Sequence, residues 1–210
     1  MEDLLLQTQR VLGTRKPITI VNPIYYNEFF KRLRYASGVS LTMRALIGVA
    51  LSGGLRVSEA LSLRPCDFQL EEGFFKVRVL KKRKTITRTK RVGKTIEKYT
   101  LATHKVYREC KLHPLAIELI REYLESQSLK HFEHIFNFTR KCVHDHIRKM
   151  FGPHACPHSI FRHSHISWLL HEKKTPDITV ASIMELSPRI VANYSHANRK
   201  AELEKIYEES

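Results

Sequence analysis

Apolar positions recur at helical spacing along most of this chain and at strand spacing in one stretch near its middle. Residues 2–12 place Leu4, Leu5, Val11 and Leu12 before Gly13, which predicts a short amphipathic helix, with residues 14–21 as a linker or extended segment. Asn22-Pro23 supplies an N-cap and a first-position proline, and Ile24, Phe29, Phe30 and Leu33 form the face of a helix ending near Gly38. Ser40 caps a helix over residues 41–51 with Leu46, Ile47, Val49 and Ala50 inside, and Gly53-Gly54 stops it. A further helix is expected from Arg56 to Leu63, its first turn offering backbone N–H groups to an anion. Phe75, Val77 and Val79 alternate with Lys76 and Arg78, which is strand period. A basic, threonine-rich tract follows with Gly93 as its turn, and another strand is expected over residues 106–112. Pro114 opens a helix to about Glu125 with Ile117, Ile120 and Leu124 on one face. Residues 134–138 read as a short extended segment, residues 139–150 as a basic helix, and residues 189–194 as a short helix behind Ser187-Pro188. Helices, a small antiparallel sheet, then helices again make an α+β domain.

Charge narrows the class. The 210 residues carry 36 Lys and Arg against 21 Asp and Glu, a net charge of +15. Such an excess favours a polyanionic partner through phosphate contacts and counterion release. Four scattered cysteines, Cys66, Cys110, Cys142 and Cys156, form no paired framework and suit a reducing compartment. Glu2 and Asp3 give the N-terminus the wrong polarity for a secretory signal, and no apolar run is long enough to span a bilayer. The expectation is a cytoplasmic, nucleoid-associated protein with no membrane partner.

Three side chains carry the chemistry. An arginine fork grips two phosphate oxygens at once, and a tyrosine hydroxyl can attack the phosphorus between them. Arg56, Arg162 and Tyr194 are the side chains of these types to watch. A competing cluster, Cys142, His144, His146, His154, Cys156 and His158, is rich in metal-ligand types. Its C-x-H-x-H and H-x-C-x-H spacings match no common zinc pattern, and alternate residues of one helix diverge. No metal and no cofactor are expected.

The segments Gly54-Leu55-Arg56-Val57-Ser58-Glu59, His158 to His163, and Tyr194-Ser195-His196 together resemble the catalytic domain of the tyrosine recombinases, the phage-integrase family. The spacing of about thirty residues from Arg162-His163 to Tyr194 is part of that resemblance, as are Leu63, Asp67 and the strand after Arg56. The size is similar to that of the single-domain fimbrial invertases. The resemblance implies a mostly helical domain over residues 17–210 with a three-stranded antiparallel sheet, preceded by an N-terminal helix and linker over residues 1–16. It implies that Arg56 and Arg162 clamp the scissile phosphate. A lysine in the turn after the second strand would protonate the departing 5′ oxygen: Lys82, with Lys81 and Lys84 beside it. It implies a histidine contact, which His158 would make from four residues before Arg162 where the family has three. If the segment is not helical, Ser159 takes that slot. The family's histidine or tryptophan before the tyrosine falls here on Glu185, which as a carboxylate would repel phosphate. Lys81, Arg83, Lys84, Arg88, Lys90 and Arg91 would contact DNA.

The expected activity is site-specific DNA recombination or integration, with strands cleaved and rejoined through a covalent 3′-phosphotyrosyl link. The partners are double-stranded DNA and three further copies of the chain, a homotetramer on two duplexes. Residues 201–209, with Leu203, Ile206 and Tyr207 amid glutamates, would dock on a neighbour or fold back on their own domain. Three other readings stand beside it: a recombinase-fold DNA-binding protein with weakened cleavage, a type IB topoisomerase-like strand-passage enzyme, and a metal-dependent nuclease.

Overall fold

The protein is described by a computed structural model covering residues 5–9, 17–92 and 95–195, with the backbone alone of residues 9, 81–92, 95–104, 193 and 195. The first described element is a strand. Residues Leu6–Gln9 (β1) pair antiparallel with Ile18–Val21 (β2), in place of the helix expected over residues 2–12. A short isolated helix is marginal in water. Here the β-branched partner Ile18, Ile20 and Val21 offers a ladder instead, and Ile20 and Val21 are fully buried. Three backbone bonds stitch the hairpin down: Asn22 N–H to Leu5 O at 2.8 Å, Thr19 N–H to His154 O at 3.2 Å, and Val21 N–H to the Ser164 hydroxyl at 2.8 Å.

Asn22 accepts from Ile24 N–H as expected of a cap, but Pro23–Tyr25 form one 3₁₀ turn before helix α1, Tyr26–Arg34. That turn rotates Ile24 outward, leaving it 69% exposed, and puts Tyr26 on the core face instead. Ser40 accepts from Met43 N–H and starts α2, Leu41–Ser52, whose last eight residues are all buried. Gly48 lets α4 (Pro114–Glu125) approach closely, since a Cβ there would lie 3.4 Å from that of Ala116. The main core is built around this pair, with Phe29, Phe30, Leu33, Phe75, Phe136, Val143 and Phe161. Helix α3 is one turn, Val57–Ala60, shorter than the run to Leu63 expected from sequence, because Leu61 already caps it.

The three-stranded sheet has the order β3-β4-β5, all antiparallel. β3 is only Phe68–Gln69, whereas β4 runs Phe74–Val92 and β5 runs Thr95–Lys111. The basic tract is therefore strand, and the third strand starts eleven residues before Val106. Alternating threonines with Ile86 and Val92 carry the β propensity through the charges. Gly93 lies outside the described residues. Residues 134–138 run extended without a ladder, Ile135 N–H meeting Leu63 O at 3.1 Å, and Thr139 caps α5, Arg140–Phe151. A π-turn over His158–His163 runs into α6, Ser164–His171, followed by α7, Asp177–Ile183, and α8, Pro188–Ser195. A second, smaller core holds the last two helices to α6: Ile166, Val180, Ala181, Met184, Val191 and Tyr194.

Candidate active site

The site is organised by the turn between α2 and α3. Gly53 ends α2, and Gly54 follows at φ +56°, a backbone region that favours glycine. Space enforces the same choice. A Cβ on Gly54 would stand 2.7 Å from Met184 Cε and 3.0 Å from His165 Cδ2, and one on Gly53 would stand 2.7 Å from Phe75 Cζ. The turn thus passes between sheet and helix with its carbonyls held, and Arg56 emerges two residues later.

One carboxylate holds both expected arginines. Glu59, fully buried, accepts from Arg56 Nη1 at 2.8 Å through Oε1. Its Oε2 accepts from Arg56 N–H at 2.9 Å and from Arg162 Nη2 at 3.0 Å. The N–H of Arg56, expected to face an anion, is therefore occupied by Glu59. Arg162 is 2% exposed, and its Nε donates to Gly54 O at 3.0 Å. Its remaining nitrogen, Nη1, is buried with no partner among the described residues. Burial pulls the Arg162 guanidinium down to about 10, with Glu59 opposing the shift, so it stays charged at neutral pH.

Arg162 reaches this position from the π-turn. The wide turn leaves the Ser159 carbonyl available, and the Ser164 hydroxyl donates to it at 3.1 Å while accepting from Val21. The segment is helical, so His158 shares a face with Arg162, and it is exposed. Ser159 is spent locally, its hydroxyl donating to Cys156 O at 2.9 Å.

Tyr194, on α8, is 8% exposed. Burial raises its hydroxyl above the ordinary phenol value, while Arg162 and Arg56 pull it back, which places both guanidiniums in electrostatic reach of the tyrosine. His163 packs against it with ring centroids 4.7 Å apart, and His158 packs edge-on against His163 at 4.6 Å. His163 is pushed down to about 3 by burial, then by His158 and Arg162, so its imidazole is neutral. Its Nδ1 is buried without a partner among the described residues.

The other expected residues lie on the turn after α7 and on β4. Glu185 occupies the left-handed C′ position after α7, φ +52°, with Leu186 N–H returning to Ala181 O at 2.9 Å in a Schellman-type closure. Lys82 is not in a turn: β4 continues past it, and it falls in the irregular register between Arg78 and Arg83. Lys81, Arg83, Lys84, Arg88, Lys90 and Arg91 all lie on the same long strand. His196 and residues 201–209 lie outside the described residues. The His/Cys cluster does not converge: among the described residues no three metal-ligand side chains meet, and His146 Nδ1 turns to the Cys142 carbonyl at 2.9 Å.

Three residues went unread in the sequence. Glu59 was visible only as a motif letter, although an acid three residues after an arginine at a helix start is the natural clamp for it. His163 carried no signal beyond its neighbour Arg162. Arg108 did carry one, as a charge on the apolar phase of residues 106–112. It is 7% exposed, donates from Nη2 to Gly53 O at 2.7 Å, and sets Nη1 4.0 Å from Met184 Sδ. Three guanidiniums therefore surround the turn, and Glu59 bonds two of them, Arg56 and Arg162, a positive environment suited to an anion.

Comparison with known proteins shows the family and the fold. A family model described as the phage integrase family matches residues 25–201. Among solved structures, XerA recombinase is similar with a TM-score of 0.64 at 19% identity, covering 94% of this chain and 64% of that one. XerH site-specific recombinase, bound to a palindromic difH substrate after cleavage, gives 0.63 at 20%, covering 90% and 53%. The catalytic domain of bacteriophage HP1 integrase gives 0.53 at 14%, covering 86% and 92%. The chain thus spans less than two thirds of the XerA and XerH chains and nearly all of the isolated HP1 domain. A search of curated proteins finds no match in sequence. No helix among the described residues is long and apolar enough to cross a membrane.

Proposed function

Because the chain belongs to the phage integrase family, we propose that it is a site-specific DNA recombinase acting through a 3′-phosphotyrosyl intermediate. The observation that carries this reading is the buried carboxylate of Glu59 holding Arg56 and Arg162 beside Tyr194. Arg162 Nη1 and the Arg56 side chain, a quarter exposed, are the donors for the nonbridging oxygens. Charge developing on the phosphoryl group is met by cations already fixed in place, the largest single source of rate in such reactions. The Tyr194 oxygen bonds to phosphorus as the bond to the 5′ oxygen breaks. The phenol loses one proton and the leaving oxygen gains one, from Lys82 at the register break of β4. The tyrosine's proton is taken up by water, while His163, neutral and packed against the phenol ring, orients that ring. Rejoining is the same path reversed, so the phosphodiester's energy is kept and no nucleotide cofactor is needed. Double-stranded DNA is the substrate, and four copies on two duplexes complete an exchange.

A second reading, DNA binding with weakened cleavage, rests on Glu185. It stands in a strained turn at the place where the family resemblance sets a histidine or tryptophan. Nicked duplexes carrying candidate attachment sites, resolved on a denaturing gel, separate the two. The recombinase reading expects a covalent protein–DNA band from the wild type in excess chelator and none from Tyr194→Phe, which still binds. A band persisting in Tyr194→Phe removes that residue from the chemistry. Binding without any band in the wild type favours the weakened reading.

A further inference from the structure

β4 and β5 continue together well past the small sheet. β3 covers β4 only at Phe74 and Phe75, yet the two long strands stay paired from Arg83↔Lys105 to Val92↔Thr95. At about 3.3 Å per residue, residues 83–92 make a two-stranded ribbon roughly 33 Å long, close to one turn of B-form DNA at about 34 Å. The ribbon springs from the site itself, since Arg108 pairs with Val77 on the same two strands.

Nothing in its composition suits a ribbon that lies against protein. Residues 81–92 and 95–105 hold nine Lys and Arg against the single Glu97, leaving eight of the chain's fifteen net positive charges there. By register, one face carries Lys84, Ile86, Arg88, Lys90 and Val92, and the other carries Arg83, Thr85, Thr87, Thr89 and Arg91. Neither face is an apolar stripe that a core could cover. Both are basic, which fits an element with phosphates on two sides. Pairing is opposed at the base of the ribbon, where Arg83 stands across from Lys105, and of its cations only Lys90 has a carboxylate, Glu97, across from it. Like charges directly opposed weaken a ladder, and a two-stranded ribbon is marginal in water to begin with. A polyanion between and around these charges removes that opposition.

We propose that the β4–β5 ribbon is an arm that lies in the major groove of duplex DNA flanking the cleaved phosphate. The position beside the cleavage point rests on the recombinase reading above; the groove contact does not. A B-form major groove, about 12 Å wide, admits a two-stranded ribbon, whereas the deep, narrow major groove of A-form RNA does not. Duplex DNA is therefore the partner.

The test is binding, read by fluorescence anisotropy on random-sequence duplexes of increasing length across a salt series. One variant replaces residues 85–103 with Asn-Gly, closing the hairpin at Lys84 and His104; a second keeps the ribbon but carries Arg88→Gln, Lys90→Gln and Arg91→Gln. The expected result is at least about a tenfold loss of affinity in both at low salt, with a log–log salt slope shallower by about three if three to four phosphate contacts are lost. The wild type should also gain affinity up to a duplex about ten base pairs longer than the shortened variant can use, one helical turn. Unchanged affinity and slope in the glutamine variant overturn the arm, whether or not the shortened chain folds. Equal competition by duplex RNA overturns the groove. Wild-type adduct on nicked DNA, followed in parallel, keeps the two readings apart: adduct with unchanged binding in the variants sinks the arm alone, and absence of adduct with the expected binding losses sinks only the recombinase.

Discussion

Glu59 decides more than its size suggests. It accepts three hydrogen bonds from two arginines while fully buried, so it fixes the separation of the two forks before any phosphate arrives. Removing one member of a buried charge cluster is costly because the others stay buried without compensation. Glu59→Gln keeps the shape but turns an acceptor into a donor facing guanidinium. It is expected to cost about 3 kcal/mol, seen as a drop of roughly 6–12 °C in Tm, and to slow adduct formation about a hundredfold or more. Thermal melts and single-turnover cleavage check both, and a variant of normal rate would mean the arginines hold their geometry without it. At this scale the sequence was legible where motif letters were dense: Arg56 and Arg162 share the Glu59 carboxylate, and both act electrostatically on Tyr194. It was not legible where the partner is distant. Arg108 is 55 positions from the Gly53 carbonyl it holds, and a strand pattern shows that a charge is misplaced without showing what it holds.

Among the elements, the α2–α3 turn sets the site, and its two glycines serve different ends. Gly54 needs its positive φ and has Met184 and His165 against it, whereas Gly38 has a positive φ with open space around it. Gly38→Ala is therefore expected to show backbone strain alone, about 1 kcal/mol. Gly54→Ala adds the collision and displaces the carbonyl that Arg162 Nε uses, so its cleavage rate should fall by far more than its stability does. Melts of the two variants beside their adduct rates test this, and equal rates would leave the turn a packing feature only. Caps and stops were readable one residue at a time: Ser40, Thr139, Pro114 and Gly53-Gly54 all sit where local chemistry puts them. β1 was not, because a strand of four residues exists only through its partner eleven positions on, and spacing alone suggested a helix. The long ribbon was missed for a related reason. Charge density reads as loop until the two strands are seen to share one ladder.

For the molecule as a whole, three imidazoles are folded in as neutral groups. Burial first of all depresses His113 to about 4 and His163 and His165 to about 3, from the ordinary 6.5. As pH falls through 6.5 the unfolded chain takes up protons that the folded chain refuses, so stability is complete above that value and is lost progressively toward pH 4. Tm measured from pH 8 to pH 5 should hold flat and then decline; a flat profile throughout would mean these rings are solvated. The same division into parts shapes the reaction. Tyr194 belongs to the small core of six buried residues shared by α6, α7 and α8, while Leu55, Ala60 and Phe161, which flank the arginines and Glu59, belong to the large one. A core that small opens locally far more often than the whole chain unfolds. On the recombinase reading, a molecule wedged between α6 and α8 would keep Tyr194 from the phosphate while leaving the basic ribbon and the arginines free to occupy DNA, converting a cutter into a roadblock.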